Sequence, residues 1–154
     1  MLHADLTRRV LRAFHEVHWE LGCGFLEQVY VRALAVAFSD AGLDYEREVA
    51  IPVVFRGRSI ARFRADFLVG SRVIIEVKAQ RDLEAAHVAQ LLNYLRATEA
   101  EVGLLLNFAL KPQFRRLVFD NARKTLRVPP RTSAAPVAIP AVTPIRTDNG
   151  RGEP

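Results

Sequence analysis

The stretch 62-RFRADFLVGSRVIIEVK-78 decides how this chain folds. Two runs rich in β-branched and aromatic residues flank Gly70-Ser71, which reads as the turn of a hairpin. Strand side chains alternate between faces, so Glu76 and Lys78 point the same way while Val73, Ile75 and Val77 fill the other face. The unbroken apolar run from Val73 to Val77 belongs to a strand covered on both sides. Charges survive in such a setting when they are paired or bind a metal.

Register decides whether Asp66 joins them. A two-residue loop pairs 69 with 72 and sets Asp66 opposite Ile75, on the wrong face. A three-residue loop over 70–72, or a bulge, sets Asp66 opposite Glu76 and Arg64 opposite Lys78. The second register is the one expected. It brings two carboxylates and an amine to one spot, which can hold a divalent cation and orient an attacking water.

With 154 residues the chain suits one domain with a substantial core. No apolar run approaches the roughly 18 residues of a membrane span, and Met1 to Arg12 has no leader-like pattern. A single cysteine, Cys23, excludes an internal disulfide and a Cys-rich zinc cage. A soluble, cytoplasmic protein without membrane contact is expected. The net charge of +5, carried by 19 Arg and three Lys, favours a polyanionic partner. Lys78 is a compact ammonium in a chain that otherwise uses Arg.

Leu6, Val10, Phe14, Val17 and Leu21 recur at helical spacing from Asp5 onward, and Gly22-Cys23-Gly24 ends that helix. A second helix is expected from about Phe25 to Ala41, closed by Gly42, with Glu27 in its first turn beside Tyr30. An acid there complements the helix dipole, and a chemical role for it depends on the fold bringing it to the hairpin. Glu46 to Phe55 reads as a strand whose Pro52 implies an edge or a bulge. In the next strand, Ser59 to Val69, Phe63, Ala65, Phe67 and Val69 are expected to share one face. The other face carries Arg62, Arg64 and Asp66. Arg62 and Arg64 are phosphate-binding candidates, although a run of charge also makes a solvated face.

Asp82 is expected to cap a helix running to about Ala97, with Val88, Leu91, Leu92 and Leu95 as its core stripe. His87, Gln90 and Tyr94 form a second stripe that suits either the lining of a cleft or a half-exposed face. Val102 to Phe108 reads as an interior strand, added parallel through a right-handed crossover. Phe114 to Arg123 is a short closing element of unassigned type. Six of the eight prolines lie between 129 and 154. Residues 1–126 are therefore expected to form a single domain and 127–154 a Pro-rich disordered tail.

This order of elements, with an acid on the second strand and Glu-x-Lys on the third, resembles the PD-(D/E)xK nuclease superfamily. Gly24-Phe25-Leu26-Glu27-Gln28-Val29-Tyr30 matches the signature of its small GxxExxY proteins. Gln90-Leu91-Leu92-Asn93-Tyr94 is similar to the Gln-x-x-x-Tyr helix motif of RecB-type nucleases. Ala65 stands where the superfamily often has proline. The resemblance implies an α/β (α+β by some schemes) restriction-endonuclease-like core. Its centre would be a mixed four-stranded sheet: a three-strand antiparallel meander, a crossover helix and a parallel fourth strand, flanked by helices.

It further implies that Asp66, Glu76 and the carbonyl of Val77 bind Mg²⁺ or Mn²⁺, with Glu27 as a further ligand, direct or through water. Lys78 would orient or deprotonate the attacking water, and Gln90 and Tyr94 would position water, Lys78 or a phosphate. His87 could be a general acid or a helix-surface residue. The implied function is a metal-dependent nuclease hydrolysing phosphodiester bonds of DNA or RNA, with DNA favoured. The alternative is a catalytically silent nucleic-acid- or protein-binding module on the same scaffold. A targeting partner and a homodimer are both compatible with the sequence.

Overall fold

The structure, a computed structural model, describes residues 1–125; the Pro-rich tail lies outside the described residues. Helices α1 (Ala4–Leu21) and α2 (Glu27–Asp40) lead into a meander of β1 (Tyr45–Phe55), β2 (Arg58–Val69) and β3 (Val73–Lys78). Helix α3 (Ala85–Arg96) then crosses to β4 (Val102–Asn107), followed by β5 (Gln113–Val118) and a 3₁₀ turn, Asn121–Arg123. The sheet order is β1-β2-β3-β4-β5. β4 runs parallel to β3 and every other neighbouring pair is antiparallel. Among the described residues, no helix is long and apolar enough to cross a membrane.

This is the expected restriction-endonuclease-like α+β arrangement with one strand more than the four foreseen. β5 completes the far edge, pairing with β4 from Val102↔Val118 to Asn107↔Gln113. Its sequence QFRRLV is nowhere fully buried, as an edge strand allows, and has too little alternation to announce itself.

Two cores sandwich the sheet. On one face Val10, Phe14, Leu34 and Phe38 from α1 and α2 pack on Phe67, Val73, Ile75 and Leu104. On the other, Leu91 and Leu95 of α3 pack on Leu68, Ile74 and Leu105. Leu92, expected in the core stripe of α3, is only half-buried, while Tyr94 joins the buried set. Helix α3 rests on β4 at Gly103, where a Cβ would sit 3.0 Å from Leu91 Cγ. Glu84, not Asp82, is the N-cap of α3. The Glu84 N–H donates to His87 Nδ1 at 3.0 Å, so the side chain three residues in secures the start of the helix.

The turn between β2 and β3 has the expected three-residue form. Val69 pairs with Val73, and Gly70 and Ser71 both have positive φ, +59° and +56°. Gly70 also lies close against α1: a Cβ there would come 2.9 Å from a Leu6 methyl, which would have to shift.

The facing of β2 departs from expectation. Phe67 and Val69 pack into the α1/α2 core, but Ala65 lies in the α3 core and the Phe63 ring sits 5.8 Å from Tyr94 of α3. Alternation is interrupted at Asp66. The pair Glu48/Asp66 is missing from the β1–β2 ladder, which keeps one register from Tyr45↔Val69 to Val53↔Ala61 and shifts only beyond it, between Val53 and Val54, and Glu48 has φ +50°. Both strands bend together there, so Arg62 and Arg64 do not share the face of Asp66 as simple alternation requires.

Candidate active site

The β2–β3 ladder stops at Phe67↔Ile75, one position before the two acids. From there the strands diverge, and side chains accept the hydrogen bonds that backbone carbonyls would have taken. The Asp66 N–H donates to Glu76 Oε1 at 3.1 Å, and the Val77 N–H donates to Asp66 Oδ2 at 2.7 Å. Each acid thus holds the other's strand. Their remaining oxygens, Asp66 Oδ1 and Glu76 Oε2, accept no hydrogen bond among the described residues, and neither is sealed from solvent.

Burial sets the electrostatics. Glu76 is 6% exposed, and its carboxyl is pushed up to about 8, first by desolvation and then by the Asp66 charge. The Asp66 N–H and Lys78 act against that shift without cancelling it. Asp66 is also raised by burial, opposed by the Val77 N–H, Lys78 and Arg47. Glu27 is raised by burial, with Lys78 opposing and Asp66 adding to the effect. Three acids that resist ionising together leave a shortage of positive charge. Lys78 is half-buried among them, yet among the described residues its ammonium forms no ion pair within 4.0 Å.

Those features fit a hard divalent cation: all-oxygen donors, two free carboxylate oxygens, and unbalanced negative charge. Among the described residues, no three His, Cys, Asp or Glu side chains already form a metal cage. The donor set in place is therefore the Asp66–Glu76 pair, with Glu27 near enough to feel both Asp66 and Lys78.

Tyr30 explains how Glu27 is held. It is fully buried, and its ring stacks on Phe108 at 4.2 Å. Its hydroxyl donates to the Gly22 carbonyl at 2.8 Å and accepts from the Phe25 N–H at 3.2 Å. Both ends of the α1–α2 loop are tied to one phenol, and Glu27 opens the helix directly after that loop.

Helix α3 closes the site from the other layer. Tyr94 is 4% exposed; burial, then the charges of Glu76 and Asp66, push its hydroxyl up to about 12. It therefore stays protonated and able to donate. Gln90 lies one turn earlier, half-buried, with no hydrogen bond among the described residues. His87 uses Nδ1 at the cap of α3, leaving Nε2 as its free ring nitrogen.

Asn107 was not singled out by the sequence reading, and it is wholly buried. Its Oδ1 accepts from the Gln80 N–H at 2.9 Å, and its Nδ2 donates to the Gln80 carbonyl at 2.9 Å and to Gln113 Oε1 at 3.1 Å. Next to it, the Phe108 N–H donates to the Lys78 carbonyl at 2.9 Å. The backbone leaving Lys78 is clamped to the end of β4. The signal was a lone amide ending the apolar run VGLLLN, since a buried amide demands partners.

A family model described as the PD-(D/E)XK nuclease superfamily matches residues 4–117, from the start of α1 to the last turn of the sheet at β5. The chain belongs to the PD-(D/E)XK nuclease superfamily. No curated protein matches it. Among solved structures, the crystal structure of SSO0001 is similar over 62% of this chain and 52% of that one, with 22% identity and a TM-score of 0.49. The chain thus spans about half the length of that protein.

Proposed function

We propose that this protein is a metal-dependent nuclease that hydrolyses phosphodiester bonds of DNA or RNA. The observation that carries the reading is the Asp66–Glu76 pair, cross-bonded through backbone N–H groups with one oxygen of each left free. Asp66, Glu76 and the carbonyl of Val77 would hold Mg²⁺ or Mn²⁺, with Glu27 completing the set directly or through water. The cation supplies Lewis-acid stabilisation of charge on the phosphoryl oxygen.

The chain's own groups do the rest. Lys78 orients the attacking water and offsets negative charge on the pentavalent phosphate. Tyr94, protonated throughout the physiological range, donates a hydrogen bond to water or phosphate, and Gln90 offers its amide beside it. The likeness of Gly24 to Tyr30 to GxxExxY proteins, and of Gln90 to Tyr94 to the RecB-type helix, supports this assignment of roles. DNA is the favoured substrate.

The test is a cleavage screen across single- and double-stranded DNA and RNA with Mg²⁺ or Mn²⁺, using Lys78→Ala and Asp66→Ala as controls. Wild-type cleavage that falls by roughly 10²-fold or more in both variants, with the fold retained in each, is the expected result. No cleavage of any substrate, together with no calorimetric metal binding, refutes the reading.

A second reading, a binding module without turnover on the same scaffold, draws on the net charge of +5. It predicts salt-sensitive nucleic-acid binding that is indifferent to alanine at 66, 76 and 78.

A further inference from the structure

We propose that the groove between helices α1 and α2 is the contact face of a homodimer, in which α1 lies antiparallel to α1 of a second copy. The groove has a volume of about 650 Å³. Its floor is made of the small apolar residues Ala13, Val17, Ala33 and Ala37, with Val36, 62% exposed, on the rim. None of the candidate site residues lines it. The dimer therefore stands apart from the nuclease reading.

The charges around that floor form a pattern that is its own complement. Arg9, Arg12, Glu16 and Glu20 follow one another three or four residues apart, so they share one face of α1, cations first and anions last. Turned end for end, a second α1 sets Arg9 against Glu20 and Arg12 against Glu16. The midpoints of the two pairs fall within one residue of each other, about 1.5 Å at most along the helix, so a single two-fold axis serves both.

The contacts already made within one copy suit that axis. Arg12 holds Glu16 of its own helix at 3.2 Å, with both side chains exposed. Across the axis two such pairs join into four alternating charges, a network that contributes more than an isolated surface pair. Arg9 is fixed by donating to the Ala41 carbonyl at 2.8 Å, and its guanidinium has further N–H donors for a partner. Asp40, beside Ala41, offsets one cation and leaves that end of the groove net positive against the two glutamates.

Other occupants fit less well. All five charged side chains are exposed, and the floor lacks the convergent polar groups that fix a small ligand. A different protein has no need of a self-complementary face, whereas a two-fold contact between copies requires one. The area suffices: α1 has 18 residues, a length of about 27 Å. Two helices abreast, at about 10 Å each, then cover roughly 500 Å² per copy and about 1,000 Å² in all. That is the low end for a specific interface, so a micromolar dimer is expected.

The experiment is sedimentation equilibrium on the full chain from roughly 1 to 300 µM, a range that brackets such an interface. Wild type is compared with Arg9→Glu/Arg12→Glu, with Glu16→Arg/Glu20→Arg, with an equimolar mixture of these two, and with all four changes in one chain. Each double variant carries one sign along the stripe, so its dissociation constant should rise by roughly 10²-fold or more. The mixture should form a heterodimer and the fourfold variant a homodimer, each about as tight as wild type. Recovery on mixing also shows that both double variants are folded.

A wild type that stays monomeric at the highest concentration overturns the dimer, whether residues 126–154 or another protein cover the groove. A dimer unweakened in either double variant overturns it too, because the contact is then elsewhere. So does dissociation of folded double variants without recovery in the mixture. Cleavage enters none of these outcomes, and its absence fells the nuclease reading while leaving the dimer in place.

Discussion

Asp66 gives its backbone N–H to the Glu76 carboxylate at 3.1 Å, in the place where a strand carbonyl would otherwise accept it. A carboxylate is a strong acceptor when ionised, but this one is 6% exposed and sits beside a second acid. Its carboxyl group is therefore held up to about 8, against an ordinary 4.5. Glu76 thus tends to stay neutral near pH 7 unless a cation arrives.

Without metal, that preference makes the fold pH-dependent. A carboxyl whose pKa is higher in the folded than in the unfolded chain contributes stability fully below the unfolded value, 4.5, and loses it as pH rises toward about 8. Glu76→Gln keeps an acceptor for the Asp66 N–H and removes the charge. In EDTA the variant should overtake wild type between pH 5 and 8, by about 1–3 kcal/mol at the upper end. Parallel melting-temperature curves across that range would contradict the account.

The same proton competes with the cation. Mg²⁺ should raise the melting temperature more at pH 8 than at pH 6, and its binding should release protons into the buffer. Asp66→Asn should abolish both effects. Calorimetry in two buffers of different ionisation enthalpy measures the proton count directly.

Tyr30→Phe removes the hydroxyl that ties Gly22 to Phe25 and leaves the ring stacked on Phe108. A loss of about 1–2 kcal/mol in urea unfolding is expected. Amide exchange should quicken over 22–26 and remain slow in the sheet, and the affinity for metal should fall because Glu27 loses its support. Unaltered exchange in that loop would remove Tyr30 from any positioning role.

Asn107→Ala strands the N–H and carbonyl of Gln80, both bonded to the amide in the wild type. Destabilisation by about 2–3 kcal/mol is expected. Asn107→Asp keeps the acceptor for the Gln80 N–H but offers no donor to its carbonyl, and should recover little. Cleavage should fall through kcat more than KM, because the clamp fixes the backbone after Lys78 rather than touching substrate.

Much of this was legible in the sequence because physics left few choices. Burying Val73 to Val77 fixed the facing of Glu76, and the wish to pair it selected a three-residue turn, which Val69↔Val73 shows. Strand β5 was illegible as a strand because an edge element with no fully buried residue has weak periodicity. The bend at Asp66 was missed because alternation was extended through it; nothing in RFRADF announces that Glu48 on the neighbouring strand adopts φ +50°. The start of α3 was misplaced because an aspartate at 82 looks like a cap, whereas Glu84 and His87 do that work together. Asn107 was passed over because its importance lies in partners far away in sequence.

Interrupting the alternation at Asp66 has a consequence for how such a protein can change. Facing is set separately on the two sides of the bend, so trimming or lengthening the hairpin tip by matched residues need not rotate Asp66 away from Glu76. The length of the hairpin can then vary while Asp66 and Glu76 stay together.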